Sequence, residues 1–180
     1  MDKLIKSERL YLRPSTFEDC KLFELWESQP YIREFFSMND WRDYKEIVTE
    51  FVIRQQDATH MQFTIVINDT DEPIGRVQLS RYDKDSDSID ITRIYIGKEE
   101  YLRKGYGYES LKVLLKFLFE EIKLERVTLD FYEDNIRAKT LYEKLNFKSE
   151  GVMRNAAKKN NAYANLHLMS ILSEEYFSTK

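Results

Sequence analysis

The order of a strand, a helix and a second strand between residues 89 and 131 is the feature that most constrains the fold. Residues 89–96 and 126–131 are rich in β-branched and aromatic side chains, which favours strands. From 107 to 121, leucines recur at helical spacing. Two strands joined by a crossover helix run parallel. The sequence therefore predicts a sheet that contains a parallel pair, with a helix packed against it.

The rest of the chain adds antiparallel strands and further helices to this unit. Apolar or alternating runs between polar turns predict strands at 10–13, 61–67, 74–82, 147–150 and 164–172, with a polar loop around 158–161. Further helices are expected at 17–27, at 41–56 behind a cap at Asp40, and after a cap at Asn135. The expected architecture is a single α+β domain over residues 1–180, with a central mixed sheet flanked by about four helices.

Charge and cysteine content narrow the classes of protein. There are 28 basic and 32 acidic side chains, so no general attraction to nucleic acid or to an anionic membrane is expected. The single cysteine, Cys20, lies on the apolar side of a predicted helix and is expected to be a buried, inert thiol. No apolar run reaches the roughly 20 residues that cross a bilayer. His60 and His167 show no metal-ligand spacing, so we expect no metal site. The single cysteine and the lack of a membrane-crossing run lead us to expect a cytoplasmic protein.

A glycine-rich turn stands at the start of the crossover helix, in the run Arg103-Lys104-Gly105-Tyr106-Gly107. The first N–H groups of a helix lack partners within the helix, and the helix dipole is positive there, so such a turn can hold a phosphate. A dinucleotide-binding turn would need a third glycine, and the phosphate loop of nucleotide hydrolases would need Gly-Lys-Ser or Gly-Lys-Thr. The sequence has neither pattern, so on its own the turn is either a phosphate site of another kind or an ordinary structural start of a helix.

Two separated motifs resemble those of a known superfamily. The first comprises Ile94-Tyr95-Ile96-Gly97 and Lys104-Gly105-Tyr106-Gly107-Tyr108-Glu109-Ser110-Leu111, and the second is Asn135-Ile136-Arg137-Ala138-Lys139-Thr140-Leu141-Tyr142-Glu143-Lys144-Leu145-Asn146-Phe147. In this order they resemble the GNAT (Gcn5-related N-acetyltransferase) superfamily. The opening run Ser7-Glu8-Arg9-Leu10-Tyr11-Leu12-Arg13-Pro14 and the closing segment 163–172 are similar to the branch with ribosomal-protein alanine acetyltransferases and bacterial spermidine acetyltransferases.

The resemblance implies an acetyl-CoA-dependent N-acetyltransferase. The acceptor would be a primary amine, either a protein N-terminal amine or a small amine such as a polyamine, and it would attack directly without a covalent enzyme intermediate. Splayed strands would surround the cofactor, and the protein would form a homodimer or a higher homo-oligomer. Asn135 would contact the pantetheine arm, and Tyr142 would protonate the departing thiolate. The other residues expected at the cofactor are Ile94, Tyr95 and Ile96 along the pantetheine, Arg103, Lys104, Gly105, Tyr106, Gly107 and Tyr108 around the pyrophosphate, and Arg137.

No general base is identified from the sequence. Many members of the resembling family carry a glutamate at the position aligned with Ile91. The nearest acid here is Asp90, one residue away and therefore on the opposite face of the strand. Because no base is evident, a non-catalytic acyl-CoA-binding or regulatory module stays open as an alternative to an enzyme.

The acceptor site is the part that the sequence defines least. An aromatic stretch with one acid inside it can cage a cationic amine, or it can simply pack a connecting segment. An acidic loop that ends at Asp90 can recruit a polyamine, or it can be a solvated loop. The candidate acceptor residues are Tyr31, Glu34, Phe35, Trp41 and Asp90.

Overall fold

The computed structural model describes residues 5–34, 42–159 and 161–178 of the chain. Its strands are β1 (Ile5–Lys6), β2 (Leu10–Pro14), β3 (Met61–Ile67), β4 (Pro73–Asp83), β5 (Ser88–Ile96), β6 (Arg126–Tyr132), β7 (Lys148–Lys159) and β8 (Ala162–Leu172). Its helices are α1 (Cys20–Glu27), α2 (Pro30–Arg33), α3 (Tyr44–Gln56), α4 (Tyr106–Lys116), α5 (Ile136–Lys144) and α6 (Ser173–Ser178). A π-helical segment, Phe117–Ile122, extends α4.

All eight of these strands belong to one sheet, in the order β1-β2-β3-β4-β5-β6-β8-β7. Among the strands described, β5 and β6 form a parallel pair and the other neighbours are antiparallel. The predicted unit of strand, crossover helix and strand is confirmed, and β3, β4 and β5 are neighbouring antiparallel strands. The architecture is the expected α+β fold with a central mixed sheet.

The two faces of β5 pack against different helices. On one face, Ile96 belongs to a core that includes Leu111 and Leu114 of α4, both fully buried. On the other face, the ring of Tyr95 lies 6.3 Å from that of Trp26 on α1. Burying a leucine side chain contributes about 1.5–3 kcal/mol relative to leaving it exposed, so these contacts hold β5 firmly between two layers.

The described residues form six α-helices, more than the four or so predicted. The helix α2 lies between the helices predicted at 17–27 and 41–56, and Pro30 occupies its first helical position. The helix α3 starts at Tyr44 because its cap is Asp43, whose side chain accepts a hydrogen bond from the backbone of Glu46 (2.8 Å). The predicted cap, Asp40, lies outside the described residues. Within the described ranges, none of these helices has the length and apolarity needed to cross a membrane.

The last hairpin is longer than predicted. β7 continues to Lys159, whereas the sequence predicted a strand only at 147–150 and a loop at 158–161. Nearly every residue of β7 is exposed, so the strand carries no alternation of apolar and polar side chains that a sequence pattern could reveal. Backbone pairing with β8, from Lys148 opposite Ser170 to Lys159 opposite Ala162, forms the strand instead.

Candidate active site

A cleft opens where the parallel strands β5 and β6 separate. Their backbone pairing ends at Ile91 opposite Leu129, although both strands continue beyond that point. The cavity between them has a volume of about 330 Å³. Neighbouring residues such as Ile94 and Tyr95 both line it, although they point to opposite faces of the sheet. This β5/β6 cleft therefore passes between the strands and connects the two faces.

The second half of β5 presents a backbone edge to the cleft. On its other edge it pairs with β4, and the register skips Thr92, which forms a bulge between Ile91 and Arg93. The Thr92 hydroxyl donates to the carbonyl of Gln78 (3.2 Å) and so fixes the bulge. Among the described strands, none pairs with the edge of residues 92–96 that faces β6. Backbone N–H and C=O groups along this edge are available to an extended ligand.

The glycine-rich turn forms the end of the cleft at which α4 begins. Gly105 is the N-cap residue of α4, and its φ of 83° lies in the left-handed region that favours glycine. No described side chain caps α4, so the first N–H groups of the helix keep their hydrogen-bonding capacity. A Cβ added at Gly107 would meet no atom within 4 Å, which shows that the approach to the first turn is open. Gly105 and Gly107 both line the cleft, so an anion bound here would lie inside it.

Arg9, on the segment before β2, supports this turn from behind. Its guanidinium donates to the carbonyl of Lys104 (3.1 Å), and it lies 4.5 Å from the centre of the Tyr106 ring. Arg9 also forms an ion pair with Glu109 (2.6 Å), which accepts a hydrogen bond from the Ser7 hydroxyl (2.8 Å). Burial opposes ionisation of Glu109, but the hydrogen bonds from Arg9 and Ser7 outweigh it and lower the pKa of that carboxyl. The turn is therefore held by a charged contact that the sequence analysis did not find.

Asn135 stands at the start of α5, at the end of β6. Its side-chain oxygen accepts a hydrogen bond from the backbone N–H of Ala138 (3.1 Å), which confirms the predicted cap. Asn135 is also buried in the lining of the cleft. Because the oxygen serves the cap, the side-chain NH₂ group is the part of Asn135 that can donate to a ligand.

Tyr142 lies two helical turns further along α5 and also lines the cleft. Its ring packs between Phe131 and Phe147, with centroid distances of 5.3 Å and 5.8 Å. Burial, and after it the charge of Asp130, raises the pKa of Tyr142 above its usual value. The phenol is consequently protonated at neutral pH. Tyr142 is both a core residue, 8% exposed, and a proton-bearing group at the cleft.

Asp130 is an acid of the cleft that the sequence analysis did not single out. It directly follows Leu129, the last residue of β6 that pairs with β5, and it lines the cavity. Burial of the carboxyl and the charge of Asp90 raise the pKa of Asp130, while Arg81 acts in the opposite sense. A lone acid between Leu129 and Phe131, in a strand that is otherwise mostly apolar, is the feature that could have revealed it.

A buried group of charges supports β5 on the face of Arg93 and Tyr95. The side chain of Glu27 is 1% exposed. Its Oε1 accepts hydrogen bonds from Arg76 (2.8 Å), Arg93 (3.1 Å) and the Tyr95 hydroxyl (3.0 Å). Arg42 joins Glu27 to Glu50. We refer to Glu27, Glu50, Arg42, Arg76, Arg93 and Tyr95 as the Glu27 cluster.

The two carboxyls of the Glu27 cluster are ionised despite their burial. Burial alone would raise their pKa values. The surrounding arginines outweigh this effect, so that the pKa of Glu27 is lowered and that of Glu50 falls to about 2. Since Arg93 and Tyr95 belong to the half of β5 that borders the cleft, the cluster fixes the position of the backbone edge described above.

Most of the predicted cofactor residues come together at the cleft. Those that line it are Ile94, Tyr95, Ile96, Arg103, Gly105, Tyr106, Gly107, Asn135 and Arg137, and the predicted acid Tyr142 lines it too. Lys104 does not line the cleft, and its ammonium lies 5.8 Å from the centre of the Tyr101 ring. Tyr108 lines an adjoining groove together with Ile136 and Lys144.

The predicted acceptor residues are less well grouped. Tyr31 lines the cleft, and its hydroxyl donates to the carbonyl of Gly97 (2.7 Å). Glu34 is exposed at the end of α2 and is not part of the lining. Phe35 and Trp41 lie outside the described residues. The described part of the chain therefore places one residue of the predicted aromatic group, Tyr31, at the cleft.

Asp90, the remaining acceptor candidate, does not line the cleft either. It pairs with Arg81 (2.9 Å) and accepts a hydrogen bond from the Thr128 hydroxyl. Its position on the opposite face from Ile91, which does line the cleft, agrees with the expected strand alternation.

Comparison with known proteins identifies similar sequences. The family model described as the acetyltransferase (GNAT) domain matches residues 9–148. The uncharacterized N-acetyltransferase p20 of Bacillus licheniformis is 23% identical over 176 residues, which cover 94% of this chain and 96% of that protein. The spermine/spermidine N(1)-acetyltransferase of Bacillus subtilis (strain 168) is 35% identical over 83 residues, or 46% of each chain.

Solved structures share the fold. The spermidine N-acetyltransferase from Vibrio cholerae, in complex with CoA and spermine, superimposes with a TM-score of 0.85 at 21% identity, over 93% of this chain and 98% of that one. A GNAT-family acetyltransferase from Bacillus anthracis superimposes with a TM-score of 0.81 at 22% identity, over 96% and 100% of the two chains. At these identities the likeness establishes the fold, which is the one expected from the sequence motifs.

Proposed function

This chain belongs to the GNAT acetyltransferase family, and on that premise we propose that it moves the acetyl group of acetyl-CoA to the primary amine of a small acceptor. The family match establishes an N-acetyltransferase that uses acetyl-CoA, whereas the acceptor and the residue roles are our proposal. One observation carries them: the β5/β6 cleft joins an open helix start, suited to an anion, to a protonated tyrosine.

The residues of the cleft fit acetyl-CoA. The open first turn of α4 would hold the pyrophosphate through backbone N–H groups, with Arg103 and Arg137 in the lining to offset its charge. The edge of residues 92–96 would hydrogen-bond the amides of the pantetheine, and the NH₂ group of Asn135 would add a donor. When bound, acetyl-CoA supplies a thioester carbonyl to the attacking amine.

Tyr142 would supply the proton that the departing sulfur needs. Burial keeps the phenol protonated at neutral pH, which is the state that a general acid requires. The same burial weakens the acid, because each unit by which its pKa exceeds that of a thiol adds about 1.4 kcal/mol to complete proton transfer. We therefore expect Tyr142 to act through a hydrogen bond that strengthens as negative charge develops on the sulfur.

Polyamines are the acceptor class that the relatives support. The spermine/spermidine N(1)-acetyltransferase matches this chain over nearly half of its length, and an acid at the cleft suits a cationic amine. A protein N-terminal amine is the second acceptor to test. The homodimer expected from the resemblance stays a prediction, and β7, the last strand of the sheet, is the edge on which such pairing would occur.

An acetyl-CoA consumption assay with monoamines, polyamines and N-terminal peptides tests the proposal, with mass spectrometry to locate the acetyl group. Acetylation of a small amine supports it. Binding of CoA in calorimetry without acetylation of any amine would favour the non-catalytic module. Gly107→Val should weaken CoA binding, because the side chain would occupy the open approach to the first turn of α4. Lys112→Val, on the exposed side of the same helix, is the matched control and should bind CoA normally.

The Tyr142→Phe variant tests the acid role directly. Phenylalanine keeps the ring between Phe131 and Phe147 and deletes the proton, so kcat should fall about 10²-fold or more, in line with the usual contribution of a general acid. CoA affinity and Tm should change little. Tyr163→Phe, at a position 68% exposed on β8, is the control and should retain full activity. Wild-type kcat in folded Tyr142→Phe would leave Tyr142 a packing residue only.

A further inference from the structure

The cleft contains an acid whose part in the reaction the proposed function does not specify. Asp130 is the one acidic side chain among the described residues that line it. We propose that Asp130 receives the acceptor: its carboxylate pairs with the incoming ammonium and takes the proton that the nitrogen must lose before it attacks. This inference rests on the proposed function and concerns the acceptor side of the same site.

The position of Asp130 relative to Tyr142 supports this role. Phe131 packs against the ring of Tyr142, and Asp130, its neighbour on β6, points to the other face of the sheet. Because β5 and β6 have separated at this point, both residues still line the same cleft. A proton acceptor and a proton donor therefore flank one cavity from opposite faces. An amine could attack from one side while the sulfur is protonated from the other.

Asp130 is more accessible to solvent than Tyr142, as expected if Asp130 meets the incoming amine and Tyr142 protonates a buried sulfur. Tyr142 is 8% exposed, whereas Asp130 reaches solvent even though the surrounding protein partly desolvates its carboxyl. A soluble amine that enters from solvent would meet Asp130 first. The residue proposed to protonate the buried sulfur lies deeper in the protein.

The charges around Asp130 favour a cationic ligand. On β5 it faces Asp90, on β4 Arg81 and on α5 Tyr142, and its partner on β8, Leu168, is apolar. Arg81 forms its ion pair with Asp90. Within the described ranges, Asp130 itself forms no ion pair. A carboxylate that is partly withdrawn from water and not paired gains most from a cation that arrives with its own charge.

Asp130 and Tyr142 together account for every proton that moves during acetyl transfer. Asp130 takes one proton from the ammonium, which frees the nitrogen lone pair to form the C–N bond. As the C–S bond breaks, its electron pair stays on the sulfur, and Tyr142 gives the sulfur a proton. The nitrogen then loses its second proton, which restores the Tyr142 hydroxyl, and Asp130 releases its proton to solvent. One proton is released for each amide formed, as the net reaction of an ammonium with a thioester demands.

The two groups are also coupled electrostatically. The charge of Asp130 contributes to the raised pKa of Tyr142. An ammonium paired with Asp130 would offset that charge, so acceptor binding would make Tyr142 a stronger acid. The site would then donate its proton most readily when the acceptor is in place.

Steady-state kinetics of Asp130→Asn with the best amine of the panel tests the proposal. We expect kcat/KM for the amine to fall about 10²-fold, as for loss of a general base, with unchanged CoA affinity in calorimetry. Asp130→Glu keeps the charge and should recover part of the loss. Asp134→Asn removes an exposed carboxylate that pairs with Lys159 outside the cleft, and should keep wild-type kinetics.

The pH profile separates this role from a structural one. Below its pKa Asp130 is neutral and can neither pair with an ammonium nor accept a proton, so wild-type kcat/KM should fall on the acid side. That acid limb should vanish in Asp130→Asn, and in Asp90→Asn it should move to lower pH, because the charge of Asp90 helps to raise the pKa of Asp130. Equal kcat/KM and pH profiles in wild type and Asp130→Asn would overturn the inference while the proposed function stands. Failure of the wild type to acetylate any amine would overturn both.

Discussion

The Glu27 cluster and the pair Asp90 and Asp130 each contain two carboxyls, but their pKa values shift in opposite directions. In the cluster, three arginines surround the acids and lower both pKa values. In the pair, burial raises both pKa values, and the main compensating charge is Arg81, which is 78% exposed. Glu27 is the most deeply buried of the four acids, so depth of burial does not decide the direction. The positive charge of the arginines close to each acid decides the direction of the pKa shift.

This difference separates a structural role from a functional one. Acids that are fully compensated inside a protein fix the elements that carry them, and removal of one partner leaves a buried charge uncompensated. An acid with too little compensation at a cavity keeps a raised pKa and an affinity for a cation, which are properties of reactive sites. The Glu27 cluster therefore shapes the cleft, and Asp130 is the group in it that can engage a ligand.

The largest effect should come from Glu27→Gln, because this substitution removes a charge from the Glu27 cluster, to which we assign the structural role. The substitution keeps the shape of the side chain but leaves Arg76, whose side chain is 0% exposed, without its counter-charge. Breaking a buried ion pair in this way costs about 3–5 kcal/mol. Urea denaturation should show the loss, and the folded fraction should bind CoA more weakly because Arg93 and Tyr95 position the β5 edge.

The control for this variant is Glu24→Gln on the same helix. Within the described ranges Glu24 forms no ion pair of the kind that holds Glu27, so this change should alter stability by less than about 0.5 kcal/mol. If Glu27→Gln were equally mild, the arginines around Glu27 would not depend on its charge, and the structural reading of the cluster would fail.

The parts of the molecule that local patterns encode were the predictable ones. Helical leucine spacing and the strands on either side revealed the β5, α4 and β6 unit, and Gly105 with its left-handed backbone marked the start of α4. Asn135 could be recognised as a cap because a capping side chain bonds only three residues away. These features formed the cofactor end of the predicted site.

The rest of the site could not be predicted because contacts between distant residues build it. Arg9 and Glu109 are 100 residues apart, and Glu27 meets Arg93 across 66 positions. Asp130 matters only because β5 and β6 separate beside it, and no periodicity reports where a parallel pair stops. Asp90 looked like the better candidate in the sequence, since it is adjacent to the aligned position, but it lies where β5 and β6 are still paired and does not line the cleft.

The smallest effect should come from Asp90→Asn, the counterpart of Glu27→Gln in the other pair. The change loses one ion pair with the exposed Arg81, which is worth about 0–1 kcal/mol, and it removes a charge that burial disfavours. The two effects oppose each other, so stability at pH 7 should stay within about 1 kcal/mol of wild type. Urea denaturation at several pH values is the measurement.

The direction in which stability changes with pH distinguishes Asp90 from the acids of the Glu27 cluster. The pKa of Asp90 is higher in the folded protein than the value of about 3.9 expected in the unfolded chain. The folded protein therefore loses the Asp90 proton at a higher pH than the unfolded chain does, and the stability contributed by this group decreases as the pH rises from about 3.9 through the folded-state pKa. Asp90→Asn should therefore gain stability relative to wild type between about pH 4 and 7 and lose the gain below that range.

The Glu27 cluster behaves in the opposite way: its contribution is present above about pH 4.3 and is lost as pH falls toward the Glu50 pKa of about 2. A relative stability of Asp90→Asn that instead falls with rising pH would show that Arg81 compensates Asp90 as fully as the arginines compensate Glu27, and the contrast between the two pairs would disappear.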